Sequence, residues 1–248
     1  MKKLYKIIYL LLPILLYSID INAMNTAEWT YEGKTGPKYW GSLHSYYKMC
    51  ELGKNQSPVN IVKSYKSSLE DLKFNYESKI ERILNHGYSL QLKVFPGSML
   101  RINDNELSLI EINFHSPSEH KINNKSFPLE VHFVHIDKMS NYTILAVLLD
   151  ESENDNEAFK KILRQVPKSK SFKNFKKELN LYNLLPKSSS YYRINGSFTI
   201  PPCKEGVTWY VMKSPVNISK KQIRKYRKFI PVSANRPTQK LNARLILE

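Results

Sequence analysis

Polar side chains alternate with apolar ones along two neighbouring predicted strands. In the first strand Glu111, Asn113 and His115 alternate with isoleucine and phenylalanine. In the second, Glu130 and His132 alternate with valine and phenylalanine. Successive side chains of a strand point to opposite faces, so each strand places its polar set on one face. Histidines and carboxylates interleaved with large apolar residues indicate a functional site rather than a plain solvent-facing surface.

Three of these side chains could converge on a metal ion. Residues two apart on a strand, such as Asn113 and His115, lie about 6.6 Å apart, and His132 on a neighbouring strand could supply a third group. Neutral imidazoles suit zinc, and three protein ligands with an open fourth position describe a catalytic zinc site that activates water. Asn113 is the weakest donor of the three. His120 lies beyond a loop and His135 has the opposite parity to His132, so both are expected to be buried for structural reasons.

The remaining pattern predicts one domain in which strands outnumber helices. Turn residues separate the alternating runs, and the connections are short, which favours antiparallel hairpins over repeated strand-helix units. Amphipathic helices are predicted after residues 154–156 and after Ser219. Residues 28–62 form an aromatic-rich irregular arm, and the tail at 236–247 alternates like a strand.

The first 23 residues resemble a secretory signal peptide. Three lysines precede an apolar run at residues 7–17, which is shorter than the roughly 20 residues needed to span a bilayer. We therefore expect a domain at 24–248, exported to the periplasm or secreted, without a transmembrane segment after signal removal.

Export changes the interpretation of the two cysteines. In an oxidising compartment a disulfide between Cys50 and Cys203 is favoured over two buried thiols. It would close a loop of about 150 residues, for which chain entropy gives on the order of 5 kcal/mol of stabilisation.

The formal charge of +16 attracts anions. Removal of residues 1–23 takes away three lysines and Asp20 and leaves +14. Basic runs at 168–177 and 220–228 carry aromatics at helix-like spacing and could bind acidic surface polymers. A solvated helix face with its aromatics packed inward is the favoured interpretation. Nucleic acid is not expected as a partner of an exported protein.

Several short motifs, in order across residues 28–247, resemble those of alpha-class carbonic anhydrases of the bacterial, exported kind. The matching pieces lie at 29–31, 56–61, 118–120, 130–135, 197–202, 207–209 and 235–237. The two cysteines also fall where exported members of that family carry their disulfide. So many ordered pieces make chance similarity a poor explanation.

The resemblance implies a mainly β (α+β) single domain around a twisted, mostly antiparallel sheet of about ten strands, with short surface helices. It also implies reversible hydration of carbon dioxide to bicarbonate and a proton at a zinc ion held by three histidines. His115 matches the second zinc ligand and His132 matches the third. Asn113 stands at the first ligand position, which is the most important departure from the family pattern.

Other residues match single positions of the family pattern. Thr199 matches the threonine that orients the zinc-bound hydroxide, Glu119 matches the carboxylate that holds this threonine, and Glu130 matches the carboxylate that fixes the third histidine. The apolar wall where carbon dioxide rests is matched by Val134, Val147, Phe198 and Trp209.

Three further departures surround the site. Glu111 replaces a glutamine that orients the first ligand, Ile200 replaces a threonine, and Tyr88 replaces the proton-shuttle histidine. His86 lies two residues before Tyr88 and can share its face of the strand. Histidine as a residue type titrates near neutral pH, so His86 is a hypothetical substitute shuttle.

Two functions remain open at this level. In the first, the protein is a carbonic anhydrase with a weakened zinc site, which the intact pair Thr199 and Glu119 favours. In the second, it is a catalytically inactive relative that binds a partner or polyanion, as in related proteins that have lost zinc histidines. Asn113, Ile200 and Tyr88, together with the high positive charge, favour this second hypothesis.

Overall fold

Thirteen strands run through residues 27–248, the part of the chain that this computed structural model describes, and eleven of them form one sheet. The predicted signal peptide lies outside these residues. The strands are β1 Asn60–Ile61, β2 Leu72–Asn75, β3 Ile80–Asn85, β4 Leu90–Val94, β5 Met99–Ile102, β6 Asn105–His115, β7 Lys121–Ile122, β8 Leu129–Ile136, β9 Tyr142–Ser152, β10 Ser171–Asn174, β11 Tyr191–Ser197, β12 Glu205–Met212 and β13 Val216–Ser219.

The large sheet is mostly antiparallel, as predicted. Its main path is β10-β3-β4-β6-β8-β9-β12-β11, with β5 on β6, β2 on β5 and β13 on β9. Only the pairings of β9 with β12 and β13 are parallel in this sheet, within the described residues, and β1 and β7 form a separate parallel pair. This confirms the predicted mainly β fold class.

Four short α-helices lie around the sheet in the described part of the chain. They are α1 Trp40–Leu43, α2 Met49–Leu52, α3 Glu157–Leu163 and α4 Lys220–Phe229, and single 3₁₀ turns occur at Gly33–Thr35, Ser45–Tyr47 and Leu181–Leu184. The Asn156 side chain caps α3, and Ser219 with Gln222 forms a capping box on α4. Both predicted surface helices are therefore present. No helix within residues 27–248 is long and apolar enough to cross a membrane.

Strand β8 runs through the middle of the protein. Seven of its eight residues are buried, because β6 and β9 flank it and hydrophobic clusters cover both faces. Phe133 belongs to the larger cluster, on the side of α3 and α4, and Val134 belongs to the smaller one. His132 shares the Val134 side of the strand. The polar His132 ring therefore lies in the interior, where buried polar atoms need hydrogen-bond partners.

The N-terminal arm is ordered by aromatic packing. The rings of Trp29 and Trp40 lie 5.3 Å apart, and those of Tyr31 and Trp40 lie 5.6 Å apart, both edge to face. The predicted disulfide between Cys50 and Cys203 is confirmed and joins this arm, through α2, to the turn before β12. The arm expected to be irregular thus contains two short helices and is tied to the site region.

The predicted strand at 236–247 is wrong. Within this segment only Leu247 forms isolated bridges, with Tyr65 and Arg193. The Arg236 guanidinium is buried and donates to acceptors of the N-terminal arm, including the Cys50 carbonyl at 2.8 Å. The segment is therefore held by the hydrogen bonds of the Arg236 side chain and not by backbone pairing with a neighbouring strand.

His135 is fully buried, as expected, and its Nε2 lies 2.7 Å from the Tyr76 hydroxyl. Burial lowers the pKa of His135 to about 3. At pH values between about 6.5, the ordinary histidine pKa, and about 3, the pKa of His135 in the folded protein, the unfolded chain binds a proton that the folded chain does not. Its contribution to stability is therefore full above pH 6.5 and falls by about 1.4 kcal/mol per pH unit as the pH drops towards 3.

We expect the free energy of unfolding to fall by about 2 kcal/mol between pH 7.5 and 5.0 because of His135 alone. When the free energy of unfolding is measured with urea at both pH values, a His135→Gln variant should lack this part of the pH dependence. A His44→Gln variant, in the N-terminal arm, is the matched control and should keep it. An unchanged pH dependence in the His135 variant would contradict the assignment.

Candidate metal centre

A cavity of about 220 Å³ opens beside the middle of the sheet. Strands β4, β6, β8 and β9 and the loop after β11 contribute its walls. The sequence-predicted site residues that line it are His86, Tyr88, Glu111, Asn113, His115, His132, Val134, Phe198, Thr199 and Ile200.

The strand register brings the three proposed metal ligands together. Asn113 on β6 is directly opposite His132 on β8, and His115 lies two residues further along the same face of β6. The rings of His115 and His132 lie 4.5 Å apart between centroids. Both histidines are buried, whereas Asn113 is only half-buried.

Each histidine has one ring nitrogen directed at a buried acceptor. His132 Nε2 lies 2.8 Å from Glu130 Oε1, and His115 Nδ1 lies 3.4 Å from the Ala234 carbonyl oxygen. These contacts leave His132 Nδ1 and His115 Nε2 as the nitrogens available to a metal. Burial lowers the pKa of His115, which favours the neutral ring that metal binding requires.

Glu130 holds the His132 ring in place and is itself held by several donors. Its Oε2 accepts the backbone N–H groups of Glu119 at 2.8 Å and His120 at 2.7 Å, and its Oε1 lies 2.7 Å from His120 Nδ1. Burial alone would raise the pKa of Glu130, but His120 and His132 together hold it well below its usual range. The carboxylate therefore stays ionised and fixes the orientation of the His132 ring. His120 is buried and hydrogen-bonded, as expected.

Glu119 is also buried, and only one of its oxygens is satisfied. Oε1 accepts the Arg236 backbone N–H at 3.0 Å, while Oε2 has no hydrogen-bond partner among the described residues. Oε2 lies 3.6 Å from His115 Nδ1 and 3.9 Å from His132 Nδ1. Ligand atoms of these three residues all lie within 4.8 Å of one another. His115 Nε2 and His132 Nδ1, the ring nitrogens without a protein partner, are donors that suit a zinc ion, whereas Glu119 Oε2 faces the occupied Nδ1 side of His115.

The hydrogen bond between Thr199 and Glu119 that the resemblance implies is not formed. Thr199 is buried and lines the cavity, but none of the hydrogen bonds among residues 27–248 joins its hydroxyl to Glu119. The unpartnered Oε2 of Glu119 is an acceptor that such a hydroxyl could use.

Asn113 is held by a neighbouring carboxylate. Its Nδ2 donates to Glu111 Oε1 at 3.0 Å, and the ammonium of Lys93 contacts Glu111 Oε2. Lys93 has no recognisable signal in the sequence. It lies directly opposite Glu111 in the register of β4 and β6, so only the strand pairing could have identified it.

The apolar wall differs from the prediction at two positions, because neither Val147 nor Trp209 lines the cavity. Val147 does not line the cavity and packs instead in the larger core cluster on the other face of the sheet. Ile144 lines the cavity instead, because it lies directly opposite Val134 in the register of β8 and β9 and so shares its face. Trp209 lies behind the wall, with its ring 4.9 Å from that of His132.

The two residues at the rim have different surroundings. Tyr88 packs 5.1 Å from Trp29 and 5.5 Å from Tyr31, and burial raises its pKa, so it is a poor proton carrier near neutral pH. The His86 ring stacks 5.8 Å from Tyr88, and its Nε2 lies 3.2 Å from Gln91 Oε1.

Comparison with known proteins identifies the family. A family model described as eukaryotic-type carbonic anhydrase matches residues 35–248. A carbonic anhydrase of Neisseria gonorrhoeae is 37% identical over 226 residues, which is 90% of this chain and 89% of that protein. The structure of an alpha-carbonic anhydrase from Thermovibrio ammonificans with sulfanilamide is similar, with a TM-score of 0.87 and 37% identity over 90% of this chain and all of that one. A dioscorin complexed with ascorbate has a TM-score of 0.82 and 29% identity, over 89% of this chain and 97% of that one.

Proposed function

This chain belongs to the eukaryotic-type carbonic anhydrase family, and on that premise we propose that it catalyses the reversible hydration of carbon dioxide to bicarbonate and a proton. In this proposal His115 Nε2, His132 Nδ1 and the amide of Asn113 hold a zinc ion. When bound there, zinc lowers the pKa of water enough to supply hydroxide at neutral pH.

The observation that carries this proposal is the fixed orientation of the two histidines. Each ring presents one free nitrogen while Glu130 or the Ala234 carbonyl holds the other. Such buried partners are what orients metal-binding histidines and raises their basicity. A binding module without metal has no evident need for two buried rings placed 4.5 Å apart between centroids, each with one nitrogen left free.

Thr199 and Glu119 would position the reacting oxygen. A carboxylate can only accept hydrogen bonds, so a Thr199 hydroxyl that donates to Glu119 Oε2 must turn its lone pairs towards the cavity. Oε2 is the unpartnered atom, which supports this role. Thr199 then accepts a hydrogen bond from the nucleophile and orients it.

Carbon dioxide would rest on the apolar wall. Val134, Ile144, Phe198 and Ile200 line the cavity and offer a weakly polar molecule contact without competing hydrogen bonds. Ile200 adds apolar surface where the family pattern has a hydroxyl, so the site binds carbon dioxide in preference to water at this position.

In this proposal the metal site is weaker than a site with three histidine ligands. An amide oxygen is a poorer zinc donor than an imidazole, and even the loss of a residue that only orients a ligand costs roughly 10- to 100-fold in metal affinity. We therefore propose a carbonic anhydrase whose zinc occupancy depends on the zinc supply. Zinc content and carbon dioxide hydration, measured together on the purified protein, test the proposal.

We also propose that His86 moves the proton to buffer. A His86→Ala variant should turn over at least about tenfold more slowly in dilute buffer, because it lacks the imidazole that would pass the proton from the cavity to buffer. Concentrated imidazole buffer should restore the rate by carrying the proton itself. His44→Ala, which removes a histidine of the N-terminal arm, is the control. Equal rates for His86→Ala and the unaltered protein at every buffer concentration would contradict this role.

A second candidate function is supported by the surface of α4. This helix has no acidic residue, and its buried face is formed by Gln222, Ile223 and Tyr226. Its exposed cations are Lys220, Lys221, Arg224, Lys225, Arg227 and Lys228. Such a face could bind an acidic surface polymer, and the dioscorin of the same fold, solved with ascorbate, supports a binding role for this scaffold. Salt-dependent polymer binding by a protein with neither zinc nor hydration activity would favour this function.

The proposed location is the periplasm or the extracellular space. The disulfide between Cys50 and Cys203 is consistent with an oxidising compartment. The predicted signal peptide at residues 1–23 agrees with this.

A further inference from the structure

The hydrogen bond between Asn113 and Glu111 fixes which way round the amide lies. Glu111 Oε1 is 3.0 Å from Asn113 Nδ2. An ionised carboxylate only accepts hydrogen bonds, whereas an amide has one end that donates and one that accepts. The nitrogen must therefore face Glu111, which leaves Oδ1 as the free end.

Lys93 prevents Glu111 from turning away. Its ammonium contacts Glu111 Oε2, while Oε1 is used by Asn113. The Glu111 side chain is only 19% exposed, and Lys93 is its direct partner across β4 and β6. The carboxylate thus has a donor on each oxygen and needs no metal to satisfy its charge.

Asn113 lines the same cavity as the two histidines. Asn113 lies opposite His132 and two residues from His115, and all three line the cavity. Among residues 27–248, no donor forms a hydrogen bond with Asn113 Oδ1. An amide oxygen without a donor, beside two imidazoles that each have a free ring nitrogen, is a ligand for a divalent cation.

We infer that Glu111 and Lys93 form a clamp that presents the Asn113 amide oxygen to a divalent metal, so that this chain binds zinc through one amide oxygen and two imidazole nitrogens. Glu111 is a positioning residue in this arrangement, not a ligand. The clamp also links two departures from the family pattern, the glutamate at 111 and the asparagine at 113. A glutamine at 111 could face the amide with either of its ends, whereas a carboxylate excludes the flipped amide. The inference rests on the metal site of the proposed function.

The test uses Glu111→Leu, which removes the acceptor, and Glu111→Gln, which keeps one but loses the charge. Zinc affinity, measured by competition with a chelator, should fall about 10- to 100-fold in Glu111→Leu and by less in Glu111→Gln. In an Asn113→Ala background, Glu111→Leu should have no further effect, because the clamp acts only through Asn113. Glu106→Leu, on the same strand but paired with the exposed Arg101, is the matched control.

A second readout needs no metal. In the metal-free protein, the side-chain amide resonance of Asn113 in a ¹⁵N NMR spectrum should shift on Glu111→Leu and not on Glu106→Leu. Thermal unfolding of each variant shows whether it is folded. An unshifted resonance, or unchanged zinc affinity in either Glu111→Leu or Asn113→Ala, would overturn the inference. The inference would also be overturned if zinc affinity fell as much in Glu111→Gln as in Glu111→Leu and this fall persisted in the Asn113→Ala background. That result would make Glu111 a metal ligand. Clamp-dependent zinc binding without carbon dioxide hydration would overturn only the proposed function.

Discussion

Replacing Asn113 with histidine should raise the zinc affinity by about 100-fold or more and raise the rate of carbon dioxide hydration with it. Imidazole is a stronger donor to zinc than an amide oxygen, and a third histidine completes the ligand set of a catalytic zinc site. Glu111 Oε1, which now accepts the Asn113 amide at 3.0 Å, would accept the Nδ1–H of the new ring. A carboxylate behind a histidine ligand raises its basicity and strengthens metal binding.

Chelator competition gives the affinity, and stopped-flow hydration at pH 7.5 gives the rate. Gln91→His is the matched control, since Gln91 lines the same cavity opposite Asn113 but is not at a proposed ligand position. It should leave zinc affinity within a few-fold of the original. An Asn113→His variant with unchanged affinity would show that residue 113 does not face the metal.

Removing the disulfide should cost about 5 kcal/mol of unfolding free energy. The bond between Cys50 and Cys203 spans 153 residues of sequence, and chain entropy assigns about this value to a loop of such length. A Cys50→Ser, Cys203→Ser double variant should therefore unfold at a much lower urea concentration. Equilibrium unfolding at pH 7.5 measures the difference.

Removal of the disulfide should also loosen the residues around the candidate metal centre. The Cys203 carbonyl accepts from Gln56 Nε2 at 3.1 Å, and the Cys50 carbonyl accepts from the Arg236 guanidinium, whose backbone N–H holds Glu119. A reductant should bring the unaltered protein to the stability of the double variant and leave the variant unaffected. Equal stability of both oxidised proteins would refute the loop-closure estimate.

Much of the site could be predicted from the sequence, because a strand's period of two is simple. The alternation along β6 and β8 placed His115 and His132 on one face, and the register that pairs Asn113 with His132 agrees with it. The strand pattern and the resemblance together predicted the fold class, which is confirmed, and an exported chain with two cysteines predicted the disulfide, which is present.

The misplaced residues depend on pairing between strands, which no single sequence shows. Val147 was placed on the cavity wall although its partner across the sheet is Val131, on the opposite face, whereas Ile144 faces Val134. Lys93 likewise acquires its role only from its position opposite Glu111. The tail at 236–247 alternates in sequence, yet the buried Arg236 side chain fixes it by contacts with the N-terminal arm.

The proposed activity requires that His115, His132 and Asn113 hold a working zinc ion. The most direct measurement is the zinc content of the purified protein, equilibrated with zinc, together with carbon dioxide hydration by the same sample. We predict about one zinc ion per chain and hydration that is lost on chelation and regained with zinc. Protein that binds no zinc and hydrates no carbon dioxide, while Asn113→His does both, would contradict the account and identify the natural protein as a binding module.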